Sequence, residues 1–183
     1  MKLKEISNRE ERLLSGHRLC PGCGSSIITR QVLLSTTKPV VIAHGTGCLE
    51  VSTALYPYSS WKVPWIHNAF ENAAATISGI ESAYKALKKK GKIKKDIKFL
   101  AIAGDGGTSD IGLQSLSGAL ERGHDFVFVC YDNEGYQNTG YQRSSATPFG
   151  ANTTSDPVGL VRKGKQEFKK DITRIVEAHH VPY

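Results

Sequence analysis

No apolar run in this 183-residue chain exceeds a few residues, so nothing in it reaches the roughly 20-residue length of a membrane-spanning helix. The first residues, MKLKEISNREERLL, are charged throughout and lack the apolar stretch of a secretory signal. The sequence therefore reads as cytoplasmic, with no membrane partner. Cysteine is scarce, four in all; in such a chain thiols read as ligands, reactive groups or small core residues rather than as a disulfide frame. Internal repeats and low-complexity tracts are missing. No Gly-Lys-Ser/Thr follows a glycine turn, which excludes a nucleotide P-loop. No DNA- or RNA-binding motif appears, so nucleic acid is not an expected partner.

What is present suits one domain with a proper core: 39% hydrophobic and 22% charged residues. The net charge of +7 is concentrated in KALKKKGKIKKDIK, residues 85–98. This run reads either as the solvated end of a helix, where lysines complement the macrodipole, or as a docking patch for an acidic partner.

Along the chain, 1–16 reads as a polar lead-in. Residues 39–48 read as a buried strand entering a Gly-rich turn, and 56–65 as an ordered aromatic loop. The stretch 68–91 reads as a helix whose small residues Ala73, Ala74, Ala75, Ser78 and Gly79 allow close packing, capped by Gly91. A second strand is expected over 97–107, a helix over 109–123 opened by Ser109 or Asp110, a third strand over 125–135, a turn-rich segment over 136–165 and a helix over 169–180. Strand–helix alternation predicts an α/β domain with a parallel sheet. The closing VPY reads as the start of another strand, so the expectation is a domain spanning 17–183 that lacks its C-terminal part.

The densest chemical signal runs from Gly104 to Asn138. Asp105 ends one predicted strand and Asn133, 28 positions later, ends the next. A right-handed crossover brings those two ends to the same sheet edge, where open α/β sheets bind ligands. Gly104, Gly106 and Gly107 let backbone amides approach a phosphate before a helix N-terminus, and Asp and Asn offer the hard oxygens Mg²⁺ takes together with phosphate. The unit reads as a Mg–diphosphate site. Two alternatives stay open: ordinary Gly and Asn turns, and a dinucleotide fold with Asp132 as the ribose acid, although Ser109 occupies the third glycine position of that fingerprint.

GDGGTSDIG followed by DNEGYQNTG resembles the thiamin diphosphate motif. GHRLCPGCG, GTGCLEV, YPYSSWKVPWIHNAFENAAA and YQRSSATPFGA, in that order, are similar to the β subunits of the pyruvate and related 2-oxoacid:ferredoxin oxidoreductases. The resemblance implies a three-layer, parallel-sheet thiamin diphosphate-binding fold. It implies Mg²⁺ held by Asp105, Asn133 and the Gly135 carbonyl. The diphosphate would lie on the 104–107 turn, with Thr46, Gly47 and Cys48 lining the cofactor. Asn138 would be the catalytic amide facing the reacting carbonyl, with Tyr136 and Thr139 as further contacts. The implied reaction is oxidative decarboxylation of pyruvate to acetyl-CoA and CO₂ with electrons passing to ferredoxin, or its reverse. The implied partners are α, γ and δ subunits. In this family the glutamate that activates the cofactor comes from the α subunit, so Glu50, Glu71 and Glu134 are not given that role. 2-Oxoisovalerate and 2-oxoglutarate remain alternative substrates, and a non-oxidative thiamin decarboxylase with structural cysteines an alternative enzyme.

The same resemblance assigns Cys20, Cys23 and Cys48 to a 4Fe–4S cluster, with a fourth cysteine expected beyond residue 183. On the residues alone a closed Cys₃His zinc site from Cys20, Cys23, His44 and Cys48 competes with it, as part of a non-enzymatic binding module. Cys130, inside FVFVCYD, reads as a small core residue.

Overall fold

The computed structural model describes residues 3–182. A short helix α1 (Leu3–Ser7) opens the chain, followed by α2 (Gly24–Leu34), strand β1 (Val40–Gly45), α3 (Cys48–Thr53), β2 (Trp65–Asn68), α4 (Ala73–Lys89), β3 (Lys98–Gly104), α5 (Asp105–Ser109), α6 (Leu113–Glu121), β4 (Val127–Tyr131) and α7 (Ile172–Glu177). The four strands form one parallel sheet in the order β2-β1-β3-β4.

The two central strands are buried on both faces, as parallel strands flanked by helices must be. Val40 and Ile42 of β1 and Leu100 and Ile102 of β3 pack on one side with Leu33 of α2, Leu49 of α3 and Trp61. Ala43, Phe99, Ala101 and Ala103 point to the other side, against Ala73 and Ile77 of α4. Ala74 of α4 then meets Leu116 and Ala119 of α6, with Ile172 and Val176 of α7 packed alongside. The result is the expected three-layer α/β arrangement. The second face is built almost wholly from alanine where α4 lies, which lets that helix approach the sheet closely.

Several element bounds differ from expectation. The predicted helix over 68–91 begins only at Ala73; Trp65–Asn68 is instead a strand paired with Ile42–Gly45. It lies at the sheet edge and is half exposed, so it carries neither the apolar run nor the alternation that marks a strand. Residues 106 and 107 belong to α5 rather than to a strand-end turn, and the following helix begins at Leu113, after Gly112, rather than at Ser109 or Asp110. A Cβ at Gly112 would come within 1.8 Å of the Gly107 carbonyl oxygen, so the chain breaks helix there to let two backbone segments touch. β4 stops at Tyr131, before the predicted limit, and α7 is shorter than 169–180, capped by Asp171 through its side chain to the Arg174 N–H. Helices α2 and α3 are additional elements over stretches to which the sequence reading assigned no structure. The lead-in is not merely polar: Leu13 is buried and bridges to Trp61. Val181 and Pro182 form no strand, and Tyr183 lies outside the described residues. No helix among the described residues is long and apolar enough to cross a membrane.

Glu81 ties the second helical layer to the sheet. It is buried on α4, pairs with Lys85, accepts from the Asp125 N–H and lies 3.0 Å from His124 Nδ1. Burial opposes its charge, but the Lys85, His124 and Asp125 contacts outweigh this and hold the carboxyl below its usual range. A group depressed on folding contributes stability that is present above its unfolded pKa and lost as pH falls through the folded one. Glu81→Ala should therefore cost about 2 kcal/mol at pH 7 in urea unfolding, with the difference from wild type shrinking below about pH 4.

Candidate functional site

The chain leaves β1 into α3 on one face of the sheet and leaves β3 into α5 and α6 on the other. Between two such diverging loops, at the carboxyl ends of the strands, an open α/β sheet has its natural crevice. A cavity of about 370 Å³ sits there, within the size range of small-ligand sites, about 300–1,000 Å³. It is lined by Thr46, Gly47 and Cys48 after β1, Gly104, Asp105, Gly106 and Gly107 after β3, and Asn133, Gly135, Tyr136, Asn138 and Thr139 after β4. All twelve cavity residues expected from the sequence are thus brought together.

Phe70, Tyr131 and Gln137 also line it and were missed. Tyr131 was legible as the residue just before Asp132 and Asn133 at a strand end. Phe70 was hidden inside what read as a helix. Glu50, Glu71 and Glu134 do not line the cavity.

Asp105 is buried, 1% exposed. Burial raises its pKa against the opposing hydrogen bond from Ser144, whose hydroxyl donates to Oδ2. Its Oδ1 lies 2.9 Å from one end of the Asn133 amide, and the same amide atom is 3.0 Å from the Gly135 carbonyl oxygen. Two amide orientations fit. With nitrogen in that position, Asn133 donates to both oxygens. With oxygen there, it lies 2.9 and 3.0 Å from two further acceptors, the spacing of adjacent ligands around an octahedral Mg²⁺, about 3 Å for metal–oxygen distances of 2.0–2.1 Å. The residues present therefore fit a divalent cation.

The glycines supply room as well as reach. A Cβ on Gly106 would lie 2.2 Å from the Tyr136 ring and one on Gly47 2.2 Å from the Tyr131 hydroxyl. Tyr136 is fixed by a 2.7 Å hydrogen bond to Asp110 Oδ2, which also accepts from the Ser145 N–H at 3.1 Å. Burial works against the Asp110 charge, but these bonds and Lys170 hold its carboxyl below the usual range. Asp132, the candidate ribose acid, faces outward in an ion pair with Lys169 at 2.7 Å.

A second cavity, about 550 Å³, opens beside the first. Cys20, Cys23 and Cys48 all line it, and all three are free thiols. Cys48, Tyr131, Asn133, Gln137 and Asn138 border both cavities and form their common wall. Burial pushes the Cys48 thiol up, and one end of the Asn133 amide lies 3.5 Å from its sulfur.

The zinc set is not assembled. Among the described residues no three His, Cys, Asp or Glu side chains gather around a single-ion position. His44 is fully buried among Trp61, Trp65 and Tyr131, with Nδ1 accepting from Trp65 Nε1 at 3.3 Å. Burial and the nearby His67 push its pKa down to about 3. It is a neutral core histidine.

Residues 45–183 match the family described as thiamine pyrophosphate enzyme, C-terminal TPP binding domain. The chain belongs to that thiamine pyrophosphate enzyme family. The matched region holds the whole lining of the first cavity, from Thr46 to Thr139. The chain is 58% identical to pyruvate synthase subunit PorB of Thermotoga maritima over 98% of its length and 57% of that protein's. It is equally identical to the PorB of Methanocaldococcus jannaschii, over 96% of this chain and 59% of that one. It is 47% identical to ketoisovalerate oxidoreductase subunit VorB of Pyrococcus furiosus, over 95% and 56%. The chain thus spans less than two thirds of these relatives. In fold it resembles 2-oxoglutarate:ferredoxin oxidoreductase from Magnetococcus marinus, with a TM-score of 0.73 at 18% identity over 98% of this chain and 56% of that one.

Because Asp105 is raised by burial, it binds its proton more tightly folded than unfolded. Its contribution is complete below the unfolded pKa and is lost as pH rises through the folded one. Without divalent cations, Asp105→Asn should raise the thermal midpoint at pH 7, and the gain should fade toward pH 4. A midpoint unchanged at both pH values would mean that Ser144 fully offsets the burial.

Proposed function

We propose that residues 17–183 form the thiamin diphosphate and cluster-bearing part of a 2-oxoacid:ferredoxin oxidoreductase β subunit acting on pyruvate. The observation that carries this is the wall shared by the cofactor cavity and the three-thiol cavity. A site that generates electrons lies directly against a set of soft ligands suited to an iron–sulfur cluster. The names and identities of the PorB relatives favour pyruvate over the branched substrate named for VorB.

When bound, thiamin diphosphate supplies the carbanion chemistry by which a 2-oxoacid loses CO₂. Overall, pyruvate and the thiol of coenzyme A give acetyl-CoA, CO₂, one proton and two electrons, the electrons passing to ferredoxin; the reverse is pyruvate synthesis. Asp105 Oδ1, Asn133 and the Gly135 carbonyl hold Mg²⁺, and the diphosphate lies against Gly104, Gly106 and Gly107 and the Thr46–Cys48 turn. Asn138, on the common wall, orients the reacting carbonyl by its amide. Phe70 and Tyr131 keep water from the cavity. Cys20, Cys23 and Cys48 ligate a 4Fe–4S cluster. With no glutamate lining the cavity among the described residues, the group that activates the cofactor comes from an α subunit, and γ and δ subunits complete the assembly.

The test is anaerobic co-expression with those partner subunits. The complex should contain thiamin diphosphate, iron and sulfide, and should reduce a viologen dye only when pyruvate and coenzyme A are both present. Stoichiometric zinc without iron or thiamin would overturn the proposal. Asp105→Ala should weaken Mg²⁺-dependent thiamin diphosphate binding by about 100-fold or more in calorimetry while iron content stays at the wild-type level.

A further inference from the structure

Asn133 stands in the wall between the two cavities, and the two ends of its amide meet different chemistry. One end lies 2.9 Å from Asp105 Oδ1 and 3.0 Å from the Gly135 carbonyl oxygen. The other lies 3.5 Å from Cys48 Sγ. An amide has one donor end and one acceptor end, so it cannot offer the same group to both sides.

With no cation in the oxygen corner, both oxygens there are acceptors and the NH₂ end satisfies them. The carbonyl end then faces Cys48. With a divalent cation in the corner, the requirement inverts. The cation takes oxygen ligands only, so the carbonyl must face it and the NH₂ end is delivered to the sulfur. The switch needs only rotation about the last side-chain bond. The Asn133 backbone carbonyl stays fixed by a 2.8 Å hydrogen bond from Gln137 Nε2.

We propose that Asn133 is a positioning residue coupling the two cavities: a divalent cation in the oxygen corner sets an N–H···S hydrogen bond to Cys48 and thereby raises the reduction potential of a cluster bound through that sulfur. The inference rests on the proposed function, which places the cluster at Cys48. Its physical basis is that a hydrogen bond to a ligating sulfur stabilises the added negative charge of the reduced cluster. The cluster then becomes the better electron acceptor when the cofactor cavity is loaded, and the poorer one when it is empty.

The test uses the anaerobic complex made with asparagine labelled with nitrogen-15 in the side chain. Pulsed EPR of the reduced cluster and redox titration are compared with and without Mg²⁺–thiamin diphosphate. Loading should bring in, or strengthen, an exchangeable nitrogen-15 coupling to the cluster and raise its midpoint potential. Asn133→Asp keeps an oxygen ligand but has no N–H; it should lose the coupling, and loading should no longer raise its potential. A coupling indifferent to loading, or an Asn133→Asp protein whose potential responds as wild type does, overturns the inference. If that variant fails to fold or to bind cofactor, the labelled wild-type comparison decides alone. A wild-type complex without thiamin diphosphate or iron overturns the proposed function, and the inference with it, before any coupling is sought. A loaded, cluster-bearing complex lacking the coupling overturns the inference only.

Discussion

A buried carboxylate, Asp105, sets the terms for everything around it. Taking an ionisable group out of water is costly unless it is paired or hydrogen-bonded, and the surrounding chain is arranged to supply partners. Ser144 donates to Oδ2. Thr147 holds that turn by accepting from the Ser144 N–H at 2.9 Å and donating to the Glu134 carbonyl, which ties it to the Asn133–Gly135 loop. Behind both lies Lys165, fully buried, with its ammonium on the Ser145 and Thr147 carbonyls. Burial lowers the pKa of Lys165, so the fold spends stability on two buried ionisable groups to keep one carboxylate oxygen aimed at the cavity. That pattern belongs to a binding site rather than to a core.

The small residues serve the same end. The Phe70 carbonyl oxygen would lie 3.0 Å from a Cβ on Gly45 and 3.1 Å from one on Gly107. β1, α5 and the entry to α4 are therefore in backbone contact, and this contact holds Thr46–Cys48 and Gly104–Gly107 on opposite sides of one crevice. Ala43, Ala73, Ala101 and Ala103 continue the close approach along the sheet. Composition alone makes such residues look permissive; here they set a distance between two loops.

The parts of the fold legible in the sequence were those with a local signature. β1, β3 and β4 are short apolar runs, and the glycines, Asp105 and Asn133 stand at their ends, so the crossover rule alone places them together. β2 was not legible, because an exposed edge strand has no apolar pattern. Nor was α2, which follows CPGC without a side-chain cap at Cys23, or the break at Gly112, which answers a contact with Gly107 rather than any local preference. The support from Ser144, Thr147 and Lys165 was equally hidden, since a lysine eighteen positions from its acceptor reads as a surface charge. Twelve of the fifteen residues lining the first cavity were legible; Phe70, Tyr131, Gln137 and the scaffolding behind them were not.

The lysine run can be judged by where the sheet puts it. Lys90–Lys95 precede β3 and so lie at the amino edge, while the cavities lie beyond Gly104 at the carboxyl edge. Seven residues of strand separate the two by about 20 Å. Part of the charge is already used at that edge: Lys85 pairs with Glu81, and Lys38 and Lys88 both reach Asp96. Screening in ordinary salt reaches about 8 Å, so these lysines exert little field at the thiols. The basic run is thus separated from both cavities by the length of the strand.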